Sequence, residues 1–325
     1  MTLLDQPLLP TANEAWRPLY PFASHALTLD GHRYHYVDEG AGPPLLFVHG
    51  NPTWSFHWRE LIQAWRGEYR TLAPDHLGCG LSDKPQEWSY RLADHIDNLV
   101  AFIRELDLRD ITLLAHDWGG AIGLGAALAE PDRFRRFVLF NTGAYRPWFV
   151  PWRIRVCRTP VVGKLGLQGL NLFGRAALRM TMSRRKLTPA ERAGYLAPYR
   201  SWNDRRAIYR FVQDIPLSSD HPSYAKLAEI EDGLPSLGDR PFQFVWGMRD
   251  WCFTPECLDK FLQILPEADA HRIADAGHWV VEDAGDEVVT VVNRFFAEHP
   301  LEQHPRDQQL HDEHPQNGAP GVSRQ

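Results

Sequence analysis

The pattern of apolar residues along the chain predicts an α/β fold: a mostly parallel, eight-stranded sheet with helices on both faces. Short apolar runs recur with the length of buried strands, and amphipathic segments with helical spacing separate them. The alternation stops between about residues 144 and 233, where the chain is helical and aromatic, and then resumes. Strands that alternate with helices in this way form parallel sheets that are buried on both faces.

Length and composition agree with such a fold. The 325 residues, of which 44% are hydrophobic and 23% charged, suffice for one large α/β domain with an insertion. No apolar run reaches the roughly 20 residues that a membrane span needs, and the first residues lack the basic start and apolar stretch of a secretory signal. The four cysteines have no framework spacing, so we expect free thiols and a cytoplasmic protein.

The first half of the chain predicts a hairpin followed by alternating strands and helices. Residues 1–20 are rich in proline and are expected to form an extended arm. Two β-prone runs, 25–29 and 33–37, flank the turn-forming pair Asp30-Gly31, which predicts a β-hairpin. Buried strands and amphipathic helices are then expected in alternation at residues 45–48, 56–65, 69–73 and 92–106.

The second half repeats this pattern around the helical segment. A strand at residues 111–116, a helix to about residue 130 and a strand at 137–140 precede the segment. Strands and helices are expected again at residues 242–246, 256–265, 271–274 and 280–297. Residues 301–325 are almost devoid of apolar side chains and are expected to be disordered. The predicted units are an arm, a core in two pieces, a helical cap and a tail, at residues 1–20, 21–143 with 234–300, 144–233 and 301–325.

The charge distribution marks the middle of the chain as a separate unit. Residues 145–213 hold 15 Lys and Arg against two acids, Glu191 and Asp204, whereas the remainder holds 20 Lys and Arg against 39 Asp and Glu. A helical cap inserted after the sixth strand lies over the carboxyl ends of the strands, where open α/β sheets bind their ligands. We therefore expect the cap to cover the functional site.

The strand that ends near residue 116 leads into a candidate nucleophile. Asp117 lies between this strand and a helix that opens with glycines, in the pattern Ala-His-Asp-Trp-Gly. Small residues two positions before and after a nucleophile are typical of the nucleophile elbow of α/β-hydrolases, because the strained turn brings strand and helix close together. Here an aspartate replaces the serine of lipases. Asp117 could instead serve only as the N-cap of the helix.

A nucleophile of this kind needs a base, and the base needs an acid to orient it. In α/β-hydrolases the chain order is nucleophile, acid, histidine. His278 follows the last predicted strand and is the candidate base. Asp250 follows the seventh strand and is the candidate acid, with Asp275 as the alternative. Asn141, at the end of the sixth strand, cannot ionise.

Two residues are candidate anion donors. Asn51 lies in the loop after the third strand, where these folds complete the oxyanion hole, and Trp118 follows the nucleophile. Their backbone N–H groups can hold a tetrahedral oxyanion. Their side-chain N–H groups can stabilise a halide or another anion that leaves carbon, although Trp118 could also be an ordinary packing residue.

Four motifs together resemble the haloalkane dehalogenases and their close relatives, over about residues 20–300. They are HGNPTWSFHWR at 49–59, PDHLGCGLSDKP at 74–85, HDWGG at 116–120 and GHW at 277–279. The resemblance implies that Asp117 is the nucleophile, His278 the base and Asp250 the acid. It also implies that Asn51 and Trp118 donate hydrogen bonds to the leaving halide.

Motifs in and beside the cap narrow the resemblance to the third dehalogenase subfamily. They are SRR at 183–185, YLAPYRSW at 195–202, RFVQDIPL at 210–217 and WGMRDWCF at 246–253. That subfamily includes the β-lactone decarboxylase of bacterial long-chain olefin biosynthesis. Asn141 departs from the common subfamily that keeps a glutamate after the sixth strand.

The resemblance therefore implies an enzyme whose Asp117 attacks an sp³ carbon or a strained lactone and forms a covalent ester. A cis-dialkyl β-lactone decarboxylase that releases CO₂ and an alkene is the first expectation, and a haloalkane dehalogenase is the alternative. An epoxide hydrolase is a lesser alternative, with Tyr195, Tyr199 and Tyr209 as candidate proton donors. A ligand-binding receptor or scaffold is the non-enzymatic alternative.

The expected substrate is small and apolar. Part of the cap could line a tunnel for alkyl chains, through Leu165, Leu167, Leu170, Leu172, Phe173, Leu178, Met180 and Met182. The basic cap could dock on an acidic partner enzyme or an anionic membrane surface, or be a solvated face. No nucleic-acid partner and no cofactor are expected. No metal is expected either, because no spacing of His, Cys and acids suits zinc.

Overall fold

A sheet of eight strands forms the centre of the structure, a computed structural model that describes residues 14–301. The strands are β1 His25–Leu29, β2 His32–Glu39, β3 Pro44–Val48, β4 Arg70–Pro74, β5 Ile111–Asp117, β6 Phe134–Thr142, β7 Phe242–Gly247 and β8 Asp269–Ile273. Their order is β1-β2-β4-β3-β5-β6-β7-β8. Strand β2 pairs antiparallel with β1 and β4. The remaining neighbours, in the order β4-β3-β5-β6-β7-β8, pair parallel.

Helices separate most of the strands, and a long helical insertion lies between β6 and β7. The helices are α1 Arg59–Trp65, α2 Leu92–Glu105, α3 Trp118–Ala129, α4 Trp152–Cys157, α5 Val162–Lys164, α6 Leu172–Met180, α7 Pro189–Leu196, α8 Arg206–Asp214, α9 Pro222–Gly233, α10 Pro255–Ile264, α11 Val280–Asp283 and α12 Gly285–Glu298. The predicted fold class is confirmed, including the helical cap after the sixth strand. Among residues 14–301, no helix has both the length and the apolar character needed to cross a bilayer.

The sheet is covered on both faces, as strand β3 shows. Leu46 and Val48 belong to the apolar cluster that contains the buried residues of α2 and α3. Leu45 and Phe47 belong to the cluster on the other face, with α1 and α12. Because side chains alternate along a strand, a run of consecutive apolar residues is what a strand buried on both faces requires.

The predicted hairpin is present, and its turn explains the residues found there. Strand β1 pairs with β2, and Leu29 lies opposite His32 at the end of the hairpin next to the turn. Asp30 and Gly31 between them have φ angles of 49° and 77°. Two consecutive left-handed residues form the tight turn that matches the twist of antiparallel strands, and Asp-Gly is a preferred pair for it.

Two predicted elements differ in detail. The last helix, expected as one element over 280–297, is divided into α11 and α12, because Ala284 between them has φ −138° and leaves the helical conformation. The helix expected from residue 56 begins with a 3-10 turn, Ser55–Trp58. Residues 1–13 of the predicted arm and 302–325 of the predicted tail lie outside the described residues. The boundaries of the four predicted units stay predictions.

The insertion contacts the loops that follow the carboxyl ends of the strands. In the loop after β3, the indole N–H of Trp54 donates to the Gly194 carbonyl of α7, at 3.1 Å. In the loop after β8, the backbone N–H of Trp279 donates to the Thr181 carbonyl just after α6, also at 3.1 Å. The helices of the insertion therefore cover the edge of the sheet at which ligands bind in open α/β folds.

Substitution of Gly119 tests the close approach of α3 to the sheet. A Cβ atom at this position would lie 2.0 Å from the carbonyl oxygen of Val48 in β3. We expect Gly119→Ala to lower the free energy of unfolding by about 2 kcal/mol or more, because the helix must move away from the strand.

The measurement is urea unfolding followed by circular dichroism. Gly67→Ala is the matched control, because a Cβ atom there meets nothing within 4 Å; we expect its unfolding free energy to stay within about 0.5 kcal/mol of the parent value. Equal unfolding midpoints for the two variants would show that the elbow is not tightly packed.

Candidate active site

Asp117 lies at the sharp turn between β5 and α3. Its backbone has φ 55° and ψ −127°, a strained conformation for a residue with a side chain. Gly50 makes room for its carboxylate, since a Cβ atom there would lie 2.2 Å from Asp117 Oδ1. That oxygen accepts a hydrogen bond from the backbone N–H of Asn51 at 2.7 Å, and the side chain does not cap α3. The geometry is that of a nucleophile elbow rather than a helix cap.

His278 and Asp250 lie beside Asp117, although the three residues are far apart in the sequence. The Nδ1 atom of His278 is 2.7 Å from Asp250 Oδ2, and its Nε2 atom is 3.6 Å from Asp117 Oδ2. All three side chains are buried. The structure therefore brings together the predicted nucleophile, at the end of β5, with the predicted base and acid, in the loops that follow β8 and β7.

Two further donors hold the carboxylate of Asp250. The side-chain N–H of Asn141, in β6, donates to Asp250 Oδ2 at 3.0 Å, and the backbone N–H of Cys252 donates to Oδ1 at 2.6 Å. The sequence identified Asn141 only as a residue that cannot ionise. The alternative acid, Asp275, is half exposed and pairs with Arg184 at 2.6 Å, so Asp250 is the carboxylate that faces His278.

The charges of the three residues reinforce each other. Burial alone would lower the pKa of His278, but the carboxylates of Asp250 and Asp117 raise it to about 10. Burial would raise the pKa of Asp117, but the neighbouring His278 and the Asn51 N–H hold it below its ordinary value. At neutral pH the site therefore contains an imidazolium between two carboxylates.

His116 supports the position of His278 from below. Its Nε2 atom is 2.9 Å from the backbone carbonyl oxygen of His278, which can only accept, so this nitrogen carries the proton. Burial lowers the pKa of His116 to about 3, so the ring is neutral. This role of His116 was not predicted from the sequence. The available signal was a polar side chain at the end of an otherwise apolar strand.

Helix α11 ties the His278 loop to the insertion. The carboxylate of Asp283 accepts the backbone N–H groups of Gly277 and Ser183, each at 2.8 Å. Glu282 accepts two hydrogen bonds of 2.7 Å from the buried guanidinium of Arg59. The roles of these two acids were not predicted from the sequence either. The signal that could have indicated them is a pair of adjacent carboxylates one helical turn after the candidate base.

The two predicted anion donors both line the same cavity as Asp117. The carboxamide of Asn51 donates one N–H to the Ile208 carbonyl of α8, at 3.3 Å. Since a carboxamide has two N–H groups, the second is available to another acceptor. The ring of Trp118 lies 5.4 Å from that of Phe211, and its exposure is intermediate. Their roles as donors stay predictions.

The cavity above Asp117 has a volume of about 350 Å³ and a mostly apolar lining. Of the eight residues predicted to line a tunnel, four do so: Leu167, Leu172, Phe173 and Met180. The prediction is wrong for the other four. Leu165 and Leu170 point to solvent, and Leu178 and Met182 pack against the cluster around Trp54.

Residues 43–285 match the family described as having the α/β-hydrolase fold. The chain belongs to this family. Of its relatives, this α/β-hydrolase is 39% identical over 288 residues to the cis-3-alkyl-4-alkyloxetan-2-one decarboxylase of Shewanella oneidensis, over 86% of this chain and 90% of the relative. It is 33% identical to haloalkane dehalogenase 2 of Mycobacterium tuberculosis, over 85% of this chain and 96% of the relative.

The solved structures similar to this α/β-hydrolase include haloalkane dehalogenases. The structure of haloalkane dehalogenase DbeA from Bradyrhizobium elkani has a TM-score of 0.77 and 26% sequence identity. The similarity covers 85% of this chain and 98% of that chain. The predicted resemblance to this group is therefore confirmed.

The charge state of His278 gives a test of this geometry. We expect Asp250→Asn to lower the pKa of His278 from about 10 toward the ordinary 6.5, because it removes one of the two carboxylates. Nuclear magnetic resonance of ¹⁵N-labelled histidine measures this pKa directly. Asp275→Asn is the matched control and should leave the titration of His278 unchanged.

The raised pKa also sets the sign of a stability effect. The charged pair stabilises the folded state fully below pH 6.5, and this contribution is lost as the pH rises through about 10. The free energy of unfolding should therefore fall over this range, and less steeply in Asp250→Asn. A His278 that titrates near 6.5 in the parent protein would contradict both expectations.

Proposed function

We propose that this α/β-hydrolase is a β-lactone decarboxylase that converts a cis-dialkyl oxetan-2-one into CO₂ and an alkene. The observation that carries the proposal is the carboxylate of Asp117 at the base of an apolar cavity, with its two oxygens in different surroundings. The similarity to a decarboxylase over 86% of the chain supports the same substrate class.

The two oxygens of Asp117 have different roles in this reaction. Oδ1 accepts the Asn51 N–H at 2.7 Å and is fixed in place. Oδ2 faces His278 Nε2 at 3.6 Å, too far for a strong hydrogen bond. The second oxygen therefore keeps a lone pair for attack on a substrate carbon, while the low pKa of the carboxyl keeps the nucleophile ionised.

The reaction needs two steps and no water. Asp117 Oδ2 attacks the alkyl-bearing ring carbon that is bonded to the ring oxygen, and not the carbonyl carbon. The bond between this alkyl-bearing carbon and the ring oxygen breaks, and its electrons form a carboxylate on the substrate. The bond between this carboxylate and the adjacent ring carbon then breaks and releases CO₂. Its electrons form the alkene, and the ester oxygen leaves as the Asp117 carboxylate. Inversion followed by anti elimination converts a cis lactone into a cis alkene.

The remaining residues stabilise charge during these steps. The substrate carboxylate forms where Asn51 and Trp118 line the cavity, so their N–H groups are its donors. His278 stays protonated, because Asp250 holds it at 2.7 Å and the departing Asp117 regains its charge. The imidazolium thus favours departure of the ester as a carboxylate.

Haloalkane dehalogenation is the second candidate, because the same five residues perform it. Relatives and solved structures of this class support it. In that reaction a water must attack the ester of Asp117, and His278 must accept a proton from the water. The alkyl ester of this reaction carries no substrate carboxylate, so the loss of the Asp117 charge on ester formation lowers the pKa of His278 and makes it a base.

Epoxide hydrolysis is disfavoured by the positions of the cap tyrosines. That reaction needs a phenol in the cavity to protonate the alkoxide. Tyr195 donates to Glu282 at 2.8 Å, and Tyr199 donates to the Thr53 carbonyl at 3.2 Å. Neither these two nor Tyr209 lines the cavity; the tyrosine that does, Tyr145, donates its hydroxyl to the Cys257 carbonyl at 3.2 Å. A receptor or scaffold has no need of an assembled nucleophile, base and acid.

The same proposal includes a cellular setting. We infer a bacterial enzyme that acts in the cytoplasm and completes the synthesis of long-chain olefins. The relatives named above are bacterial proteins. The four cysteines are free thiols, as is usual in a reducing compartment.

Two variants test the proposal when a cis-dialkyl β-lactone and 1-bromobutane are assayed side by side, and His278→Gln distinguishes the two reactions. Asp117→Asn should lower both activities by about 1,000-fold or more, because it removes the nucleophile. His278→Gln should stop halide release after one equivalent and leave an ester on the protein, because no base activates water. The same variant should still turn over the lactone, about 100-fold more slowly, because elimination needs no base.

Alkene and CO₂ are measured by gas chromatography, halide by ion chromatography, and the ester by the mass of the intact protein. Asp275→Asn is the matched control, because this carboxylate pairs with Arg184 on the surface. No alkene from the lactone, together with halide release from 1-bromobutane, would replace the proposal with the dehalogenase.

A further inference from the structure

Large apolar side chains are exposed on one part of the insertion. Nine of the eleven large apolar residues that are exposed among the described residues lie between positions 148 and 180. They are Trp148, Phe149, Trp152, Val156, Val161, Leu165, Leu170, Leu172 and Met180. We call this set the apolar rim. Monomeric proteins rarely expose so many apolar side chains together unless another surface covers them.

Basic side chains accompany the apolar rim. Residues 148–182 contain six Lys and Arg and no Asp or Glu. Arg158 turns inward, where its guanidinium donates to the Val212 carbonyl at 2.8 Å. The other five cations are exposed, and none forms an ion pair with a residue in the described range 14–301: Arg153, Arg155, Lys164, Arg175 and Arg179. The remainder of the chain outside 145–213 is acidic, so the positive charge of the protein is concentrated in the insertion.

The apolar rim continues into the cavity that contains Asp117. Trp148, Phe149, Val156, Leu172 and Met180 are exposed and also line the cavity. Because the same side chains contact both solvent and the cavity, the cavity opens within the rim. A molecule that covers the rim therefore also covers the route to the nucleophile.

We propose that the apolar rim and its five cations dock on an anionic lipid bilayer, with the mouth of the cavity against the acyl chains. Tryptophan and leucine side chains enter the boundary between headgroups and acyl chains, while Arg and Lys reach the phosphates. The orientation lets a lipophilic substrate pass from the bilayer to Asp117 without crossing water. The last point rests on the proposed function, whereas the docking does not.

A lipid surface fits the rim better than a second copy of the chain. A symmetric dimer through this face would set two groups of unpaired cations against each other. An acidic protein would match the cations, but it would also need an apolar surface for side chains as exposed as Trp152, Val161 and Leu170, at 69%, 67% and 65%. A bilayer of anionic lipids offers both kinds of contact at any position along the rim.

Flotation of the full-length protein with vesicles tests the docking. We expect binding to phosphatidylglycerol vesicles at low salt and at least about 10-fold weaker binding to phosphatidylcholine vesicles or at high salt. Arg175→Glu with Arg179→Glu should weaken binding to phosphatidylglycerol by about 10-fold or more. Arg294→Glu, an exposed cation on α12, is the matched control and should bind like the parent.

A second variant set tests the apolar contribution. Trp152→Ser, Leu165→Ser and Leu170→Ser together should weaken vesicle binding by about 10-fold or more. None of these residues lines the cavity, so turnover of a short, water-soluble cis-dimethyl β-lactone should be unchanged. Leu217→Ser is the matched control, because Leu217 is 50% exposed on the insertion and lies outside the rim.

Three results would overturn the docking proposal. The first is no binding of the parent to phosphatidylglycerol, and the second is binding that both variant sets leave intact. The third is binding to polyglutamate without binding to vesicles, which would assign the face to an acidic protein. Vesicle binding without any activity on a lactone would instead overturn the proposed function and leave the docking standing.

Discussion

A buried imidazolium between two carboxylates is the interaction on which the site depends. His278 lies 2.7 Å from Asp250 and 3.6 Å from Asp117, and all three side chains are buried. A single buried charge without its partners would lower the stability of the folded protein, so the fold must place all three residues next to each other. The parallel sheet does this, because the loops after β5, β7 and β8 leave the sheet at the same edge. Asn141 of β6, which lies between β5 and β7, then holds Asp250 with an N–H donor at 3.0 Å.

The helical insertion determines the surroundings in which these charges act. It places an apolar cavity of about 350 Å³ above Asp117. A carboxylate in such a site is a stronger nucleophile than one in water, because fewer hydrogen bonds must be broken for attack. The same insertion carries the exposed apolar side chains and the five exposed cations of the apolar rim. Under the two proposals, one unit of the chain therefore contributes both the walls of the substrate cavity and the surface that meets the bilayer.

The sequence predicted the fold, and it singled out the residues that the structure brings together in the candidate site, because their signals are local. Apolar alternation identified the strands, and the elbow pattern around Asp117 lies within five residues. The supporting residues depend on contacts between distant parts of the chain. His116 meets His278 across 162 residues, and Asn141 meets Asp250 across 109. The prediction of the residues that line the tunnel was wrong for half of them, for a related reason. The packing of short helices, rather than their composition, decides that Leu167 faces the cavity and Leu165 faces solvent.

The proposed mechanism requires that elimination, and not water, breaks the ester of Asp117. Turnover of a cis-dialkyl β-lactone in H₂¹⁸O tests it most directly, with mass spectrometry of the peptide that contains Asp117. Water that attacks this ester leaves ¹⁸O in the aspartate, whereas elimination returns the original oxygen. The account predicts alkene and an unlabelled Asp117 after many turnovers. A hydroxy acid product together with ¹⁸O in Asp117 would contradict it.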